Sequence, residues 1–336
     1  MPIDTTGRTG DRPEVSVIIP TLQAGEALRA LIEALRGQTL APREILVIDS
    51  ASTDGTPELA SACGVRVIGI DRKDFDHGGT RNLAASLAVG EVLVFMTQDA
   101  MPEHPEMLER LVAPLLANDR IACAYARQVP RAEAGVLERL TREYLYPQSP
   151  EVKWETDLPR LGLRTFFCSN VCAAYRREVF ERLGRFPSPV LFNEDLFFAA
   201  RCILEGYGVA YAADARVVHS HDYTLGQQFR RYFDNGVSMS GNDWVYARSG
   251  VARSGSGLVL AVARELIRGG QMRYIPQLLA ESAAKFIGYQ LGKRHRLLPA
   301  ALCRRFSMHR GIWDRYYGAR AGAGVPGGPG GETLRG

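Results

Sequence analysis

Three apolar runs in the first hundred residues end in polar side chains: Val15-Ser16-Val17-Ile18-Ile19 before Pro20-Thr21, Ile45-Leu46-Val47-Ile48 before Asp49-Ser50, and Val92-Leu93-Val94-Phe95-Met96 before Thr97-Gln98-Asp99. Short runs of this kind read as buried strands, and 24–36, 57–63 and 79–88 between them carry helical spacing. With further segments at 65–70, 105–116 and 121–129, the alternation predicts an α/β fold, a mostly parallel sheet flanked by helices. Ligands of such sheets sit outside the carboxyl ends of the strands, so Thr21, Asp49 and Asp99 are expected at one crevice. A carboxylate there is suited to a metal and, through it, a phosphate.

From about 132 to 165 the pattern loosens into a mixed polar and aromatic stretch, which predicts an irregular insertion or lid. A strand is expected over 166–175, a helix over 176–183 stopped by Gly184, and another helix opening at Asn193-Glu194-Asp195, where acidic residues suit the positive end of the dipole. Past Gly250, apolar segments at 258–267, 275–291 and 297–306 are interleaved with ten Lys and Arg against Glu265 and Glu281. Such basic amphipathic helices either lie on an anionic bilayer or pack as a helical cap. None reaches the ~20 apolar residues of a membrane span. The expected organisation is a flexible N-terminus (1–13), a main domain (14–245, with halves 14–130 and 131–245), a basic amphipathic helical region (246–318) and a disordered Gly/Pro tail (319–336).

At 336 residues and 46% hydrophobic content the chain is able to bury a full core, and its net charge of +4 is too small to call for a nucleic-acid partner. Its six cysteines lie mostly in apolar segments without a CxxC pair, which fits buried reduced thiols better than a zinc site. Residues 1–12 lack the apolar stretch of a secretory signal, so a cytoplasmic protein is expected.

Singly, the polar residues have structural explanations. Asp49, Asp54 and Asp99 are suited to capping turns and helices, and Glu194 with Asp195 to a first helical turn. His219 and His221 flank one serine after Val217-Val218 and so point to one face of an extended segment, where a metal is within their reach.

Their joint order carries more. Val-Ile-Ile-Pro-Thr (17–21), Asp-Ser-Ala-Ser-Thr-Asp-Gly-Thr (49–56), Gly-Gly-Thr-Arg-Asn (78–82), Thr-Gln-Asp-Ala (97–100) and Asn-Glu-Asp (193–195) resemble, in that order, the family-2 nucleotide-sugar glycosyltransferases of the GT-A fold, over roughly 14–236. The variants at 49–56, 75–82 and 97–100 look most like those of bacterial rhamnosyltransferases. The resemblance implies an inverting enzyme that moves L-rhamnose from dTDP-β-L-rhamnose, or alternatively another sugar from a UDP-sugar, to a saccharide or lipid-linked acceptor in cell-surface polysaccharide assembly. With a lipid-linked acceptor, the basic amphipathic region past Gly250 adds the expectation of a protein peripheral at the cytoplasmic face of the plasma membrane.

Matched residue by residue, Pro20, Thr21, Asp49, Ser50, Asp54, Arg81, Gln98 and Asp99 fall at donor-binding positions, and Ser50 stands where many members carry a second carboxylate. Gly78-Gly79 would leave room for a phosphate. Gln98-Asp99-Ala100 replaces an Asp-x-Asp-like motif with a single carboxylate, so Mn²⁺ or Mg²⁺ would need His219, with His221 in reserve. Asp195 matches the general base, beside Glu194. Gln228-Phe229-Arg230-Arg231-Tyr232 resembles the family's Gln-x-x-Arg-Trp element and puts Arg231 on the diphosphate. Asn170, Trp154 and Tyr146 are candidates for the acceptor pocket. Two other readings stand beside this one. A sugar-nucleotide pyrophosphorylase would carry a Gly-rich basic loop where this chain has residues 20–25, and a catalytically impaired nucleotide-sugar-binding scaffold would fit the missing carboxylate.

Overall fold

The computed structural model describes residues 12–249 and 254–313; most of the expected flexible N-terminus and all of the tail at 319–336 lie outside the described residues. The chain alternates β1 (Val15–Thr21), α1 (Glu26–Arg36), β2 (Glu44–Asp49), α2 (Thr56–Ala62), β3 (Arg66–Gly69), α3 (His77–Leu87) and β4 (Val92–Met96). These strands lie parallel in the order β3-β2-β1-β4. The chain therefore builds outward from β1 to β3, and α3 then returns it to the other side of β1. A crevice opens at such a switch point, beyond the carboxyl ends of β1 and β4.

Next come β5 (Met101–Pro102), α4 (Met107–Ala117), β6 (Ile121–Val129), α5 (Val136–Leu145), β7 (Glu151–Lys153), α6 (Leu158–Leu161), β8 (Cys172–Arg176), α7 (Arg177–Arg182), α8 (Glu194–Leu204) and β9 (Gly208–Val218). β8 inserts antiparallel between β4 and β6, and β9 runs parallel to β6. The outer edge of β9 takes β7 near its start and β5 at Val217 and Val218. That last pairing brings the loop after β4 to the residues just before His219. Alternation sorts the core: Val15, Val17 and Ile19 share a layer with Leu28 and Leu31 of α1 and Leu111 of α4, while Ile18 shares the other with Ala84 of α3 and Phe197 of α8. All six cysteines are free thiols.

Two sequence expectations need correction. Of the run at 166–175 only the last four residues are strand, in β8 (Cys172–Arg176); Phe166 and Cys168 are buried by core packing without pairing in the sheet, which an apolar run cannot reveal. The stretch 132–165 is no irregular lid, because it forms α5, whose Leu137 packs with Val262 and Leu266, and the edge strand β7.

The C-terminal part comprises α9 (Leu225–Ser240), α10 (Trp244–Ser249), α11 (Ser254–Arg268), α12 (Ile275–Lys293) and α13 (Ala300–Phe306). Val245, at the boundary expected at 245, lies within α10 and is buried in the main core. α12 runs directly along α9: a Cβ at Gly288 or Gly292 would strike the carbonyls of Phe229 or Phe233, and one at Gly236 that of Tyr289.

Candidate active site

Pro20 and Thr21 end β1 in register with Ile48 and Asp49. Asp49 is buried and accepts hydrogen bonds from the Thr21 hydroxyl (2.9 Å), the Ser52 hydroxyl (2.6 Å) and the Ser52 N–H (2.8 Å). Asp54 accepts from the Thr56 hydroxyl (2.6 Å) and N–H (3.1 Å) at the start of α2, chiefly the hydroxyl holding its carboxyl below the ordinary range. Both carboxylates hold turns at the crevice. The buried Ser50 hydroxyl between them has no hydrogen-bond partner among the described residues.

Gln98 was expected to contact the donor, but it clasps Leu22, accepting from its N–H at 2.8 Å and donating to its carbonyl at 3.1 Å. It joins the ends of β1 and β4 instead. Gly78 and Gly79 are likewise not a phosphate cradle. Asp76 caps α3 through their N–H groups (3.1 and 2.8 Å), and a Cβ at Gly78 would strike the Pro187 carbonyl. The pair lets α3 press against the segment that leads to α8.

Arg81 is also corrected. It is buried on α3, pairs with Glu194 at 3.2 Å and donates to the His77 carbonyl at 2.9 Å, so its charge is spent inside the protein. Glu194, buried too, accepts from the Asn170 side-chain amide at 3.0 Å, and the Tyr175 hydroxyl donates to the Asn170 carbonyl oxygen at 2.8 Å. Glu194 and Asn170 thus position their neighbour rather than face a ligand. That neighbour is Asp195, only partly enclosed, which accepts the N–H groups of Asn170 (2.9 Å) and Leu196 (2.8 Å). Burial first, then the Glu194 charge, push its pKa up to about 7 against the lowering effect of both N–H groups and Arg81. Such a carboxyl is poised as a base near neutral pH. Behind it, the buried Lys153 ammonium donates to the Tyr125 hydroxyl (3.2 Å) and to the Arg164 (3.4 Å) and Phe167 carbonyls, supporting the loop that presents Asn170.

Asp99 meets both histidines: its carboxylate lies 3.5 Å from His219 Nε2 and 3.2 Å from His221 Nε2, with one ligand atom of each residue within 4.8 Å of the others. Burial pushes His219 down to about 3 and lowers His221, so both rings are neutral at pH 7. His219 Nδ1 lies 3.1 Å from Gln128 Oε1, an atom that can only accept and that Arg142 also reaches as a donor. The His219 proton therefore sits on Nδ1, and the Nε2 lone pair faces Asp99. One carboxylate and two neutral imidazoles form a donor set that suits a divalent cation.

Gln128, absent from the sequence-based site, is the hub. Its amide nitrogen donates to the Tyr146 hydroxyl (2.5 Å) and to Ser169 Oγ (2.9 Å). A single path thereby runs from Asp99 through His219, Gln128, Ser169 and Asn170 to Asp195. The only signal in the sequence was one amide near the end of an apolar strand.

The glycosyl transferase family 2 profile matches residues 16–184. Over 304 residues the chain is 40% identical to the O-antigen chain rhamnosyltransferase RfbN of Salmonella typhimurium, spanning 90% of this chain and 96% of that protein. The chain belongs to glycosyl transferase family 2. This glycosyltransferase is also 40% identical, over 306 residues, to the O-antigen chain rhamnosyltransferase WbaN of Salmonella anatum, with the same shares of 90% and 96%. Among solved structures it is similar to the mannosyltransferase PcManGT from Pyrobaculum calidifontis in complex with GDP-Man and Mn²⁺ (TM-score 0.57, 19% identity, 86% of this chain and 90% of that one). It is also similar to S. aureus TarS 1–349 (TM-score 0.51, 17% identity, 84% and 91%). Together with the sheet topology, these likenesses show the GT-A fold.

Two of the glycosyltransferase's expected acceptor residues lie elsewhere. Tyr146 is buried behind Gln128, and its hydroxyl, pushed up to about 12 by burial, serves that amide. Trp154 packs on Gly208 and under Arg120, at the start of β9, while His219 follows its end. At the rise of a strand this is about 30 Å away. Arg231 on α9 lies over the Phe192 ring (4.5 Å) and the Tyr223 ring (5.6 Å), and Tyr223 stacks on His221. Among the described residues it makes no ion pair with a carboxylate.

Proposed function

We propose that this glycosyltransferase moves L-rhamnose from dTDP-β-L-rhamnose, with inversion at the anomeric carbon, to a saccharide or lipid-linked acceptor in cell-surface polysaccharide assembly. One observation carries the chemistry: a base-poised carboxylate at the head of α8 is linked, through the Ser169-Asn170 segment and Gln128, to an Asp/His₂ cluster at the ends of β4 and β9. The 40% identity to two O-antigen rhamnosyltransferases supports the sugar.

Inversion requires the acceptor hydroxyl to attack from the face opposite the leaving diphosphate and to lose its proton as it does so. Asp195 takes that proton. Its two backbone hydrogen bonds fix the carboxylate, burial and the Glu194 charge keep Asp195 basic, and Arg81, paired with Glu194, limits that effect. Across the site, Asp99, His219 and His221 would hold the cation, with His219 oriented by Gln128. When bound, the ion supplies positive charge to the diphosphate as the leaving group departs. Two imidazoles beside one carboxylate favour Mn²⁺ over Mg²⁺, which demands a shell of oxygens. Arg231 adds fixed positive charge beside the cluster.

The same reading places the enzyme on an anionic membrane at its cytoplasmic face. Leu260, Ile267, Leu279, Phe286 and Ile287 of α11 and α12 are exposed, as are Arg264, Arg268 and Arg273 around them. No helix among the described residues is long and apolar enough to cross a membrane.

The test is acceptor-free hydrolysis of dTDP-β-L-rhamnose, UDP-glucose, UDP-N-acetylglucosamine and GDP-mannose, with Mn²⁺ and with Mg²⁺. The rhamnose donor should be consumed fastest, and faster with Mn²⁺; preference for a UDP-sugar overturns the donor, and a retained anomeric configuration in a transfer product overturns the role of Asp195.

A further inference from the structure

His221 belongs to two places at once. Its ring meets Asp99, and the residue also borders a cavity of about 400 Å³ between α5, the 221–224 loop with the start of α9, and α12. That volume lies in the range of small-molecule sites. The walls come from three separate elements: Glu138 and Thr141 from α5, Tyr223 and Gln228 after β9, and Gln277 and Lys285 from α12.

The chemistry of the lining narrows the ligand. Its ionised side chains are the carboxylates of Glu138, Asp222 and Glu281 and the single ammonium of Lys285, which lies 3.6 Å from Glu281. Glu138 is met by Arg142 at 2.7 Å. The wall is therefore neutral to weakly acidic, and among the described residues its lining offers a diphosphate no unpaired Lys or Arg. Carboxylates, amides and hydroxyls spread over several walls instead match a ring bearing hydroxyl groups, and Tyr223 and Tyr274 add aromatic surface to the lining. α12 presents Gln277, Glu281 and Lys285 to this cavity and, on its opposite side, exposes Leu279 and Phe286.

We propose that this cavity binds an uncharged sugar unit of the acceptor glycan, one other than the unit that receives the transferred sugar. The proposal rests on the glycosyltransferase reading but not on the identity of the donor. α12 acts as the roof of the site, so the C-terminal helices contribute to acceptor choice as well as to location.

The experiment uses the full chain and saturation-transfer NMR with the methyl glycosides of D-galactose, D-glucose, D-mannose and L-rhamnose, and with inorganic pyrophosphate as the charged probe. Gln277→Trp and Thr141→Arg fill the cavity from different helices, and the melting temperature of each confirms that it folds. At least one glycoside should bind, should persist when dTDP is added, and should weaken about tenfold or more in both variants. Three results overturn the site: no glycoside binds, binding is unchanged in the filled variants, or dTDP displaces the glycoside. Pyrophosphate binding that is lost in the filled variants overturns it in favour of an anion site. A titration with dTDP-β-L-rhamnose is read separately; its failure beside a retained glycoside signal removes the donor assignment and leaves the cavity standing.

Discussion

His219 gives its Nδ1 proton to Gln128, 3.1 Å away, and through that one hydrogen bond the tautomer of a cluster residue depends on an amide buried in the neighbouring strand. The same amide holds Ser169, the residue before Asn170, so the leaving-group side and the base side share one support.

Gln128→Leu is therefore expected to weaken Mn²⁺ binding about 10–100-fold, the usual effect of removing a partner behind a metal-binding histidine. Titration followed by electron paramagnetic resonance reads this directly. Unchanged affinity would show that the ring is held without the amide. Chelation with EDTA should stop donor hydrolysis, and Mn²⁺ should restore it.

With Asp195 as base, kcat/KM should rise with pH and level off above about 7, because the carboxyl must be deprotonated to act. Asp195→Asn should remove that limb and lower kcat by about 10²–10⁴-fold. Arg81 lowers the Asp195 pKa, so Arg81→Met should move the limb to higher pH. A limb that stays in place in both variants would assign the titration to another group.

Gly292→Ala forces a methyl against the Phe233 carbonyl where α12 runs along α9. Overpacking of this kind costs about 1–3 kcal/mol. The melting temperature should fall by several degrees, whereas Gly270→Ala, with no atom near its Cβ but a positive φ of 65°, reports backbone strain alone.

Phe286 and Ile287 are 64% and 51% exposed on α12. The double variant Phe286→Glu/Ile287→Glu should fold normally and lose flotation with vesicles containing anionic lipid, which the parent should show. Equal flotation of both proteins, or none by the parent, would leave α11 and α12 as a helical cap only.

The family and the edge of the sheet that carries the site were legible because they depend on local pattern. Apolar runs ending in Thr21, Asp49 and Asp99 become strand ends wherever a strand-helix alternation folds, and Glu194-Asp195 opens a helix for its own capping reasons. His219 and His221 shared a face because side chains alternate along an extended segment. Several individual roles were not legible. Arg81, Gln98 and Gly78 match motif positions and Asn170 was a candidate for the acceptor pocket, yet each is engaged by a group distant in the chain: Glu194, Leu22, Pro187 and Glu194 respectively.

The amino-acid sequence by itself determined the alternation, the strand termini and the reactive groups they deliver, since these follow from periodicity and from chemistry carried by single residues. Tertiary structure alone decided which of those groups remain available to a ligand and which are consumed inside the protein. Hydrogen-bond capacity is finite, and a buried polar atom must find its partner wherever the fold brings one. Gln128 has no distinguishing mark in the chain, and it becomes the hub because β6, α5 and the segments after β9 and before β8 converge on its amide.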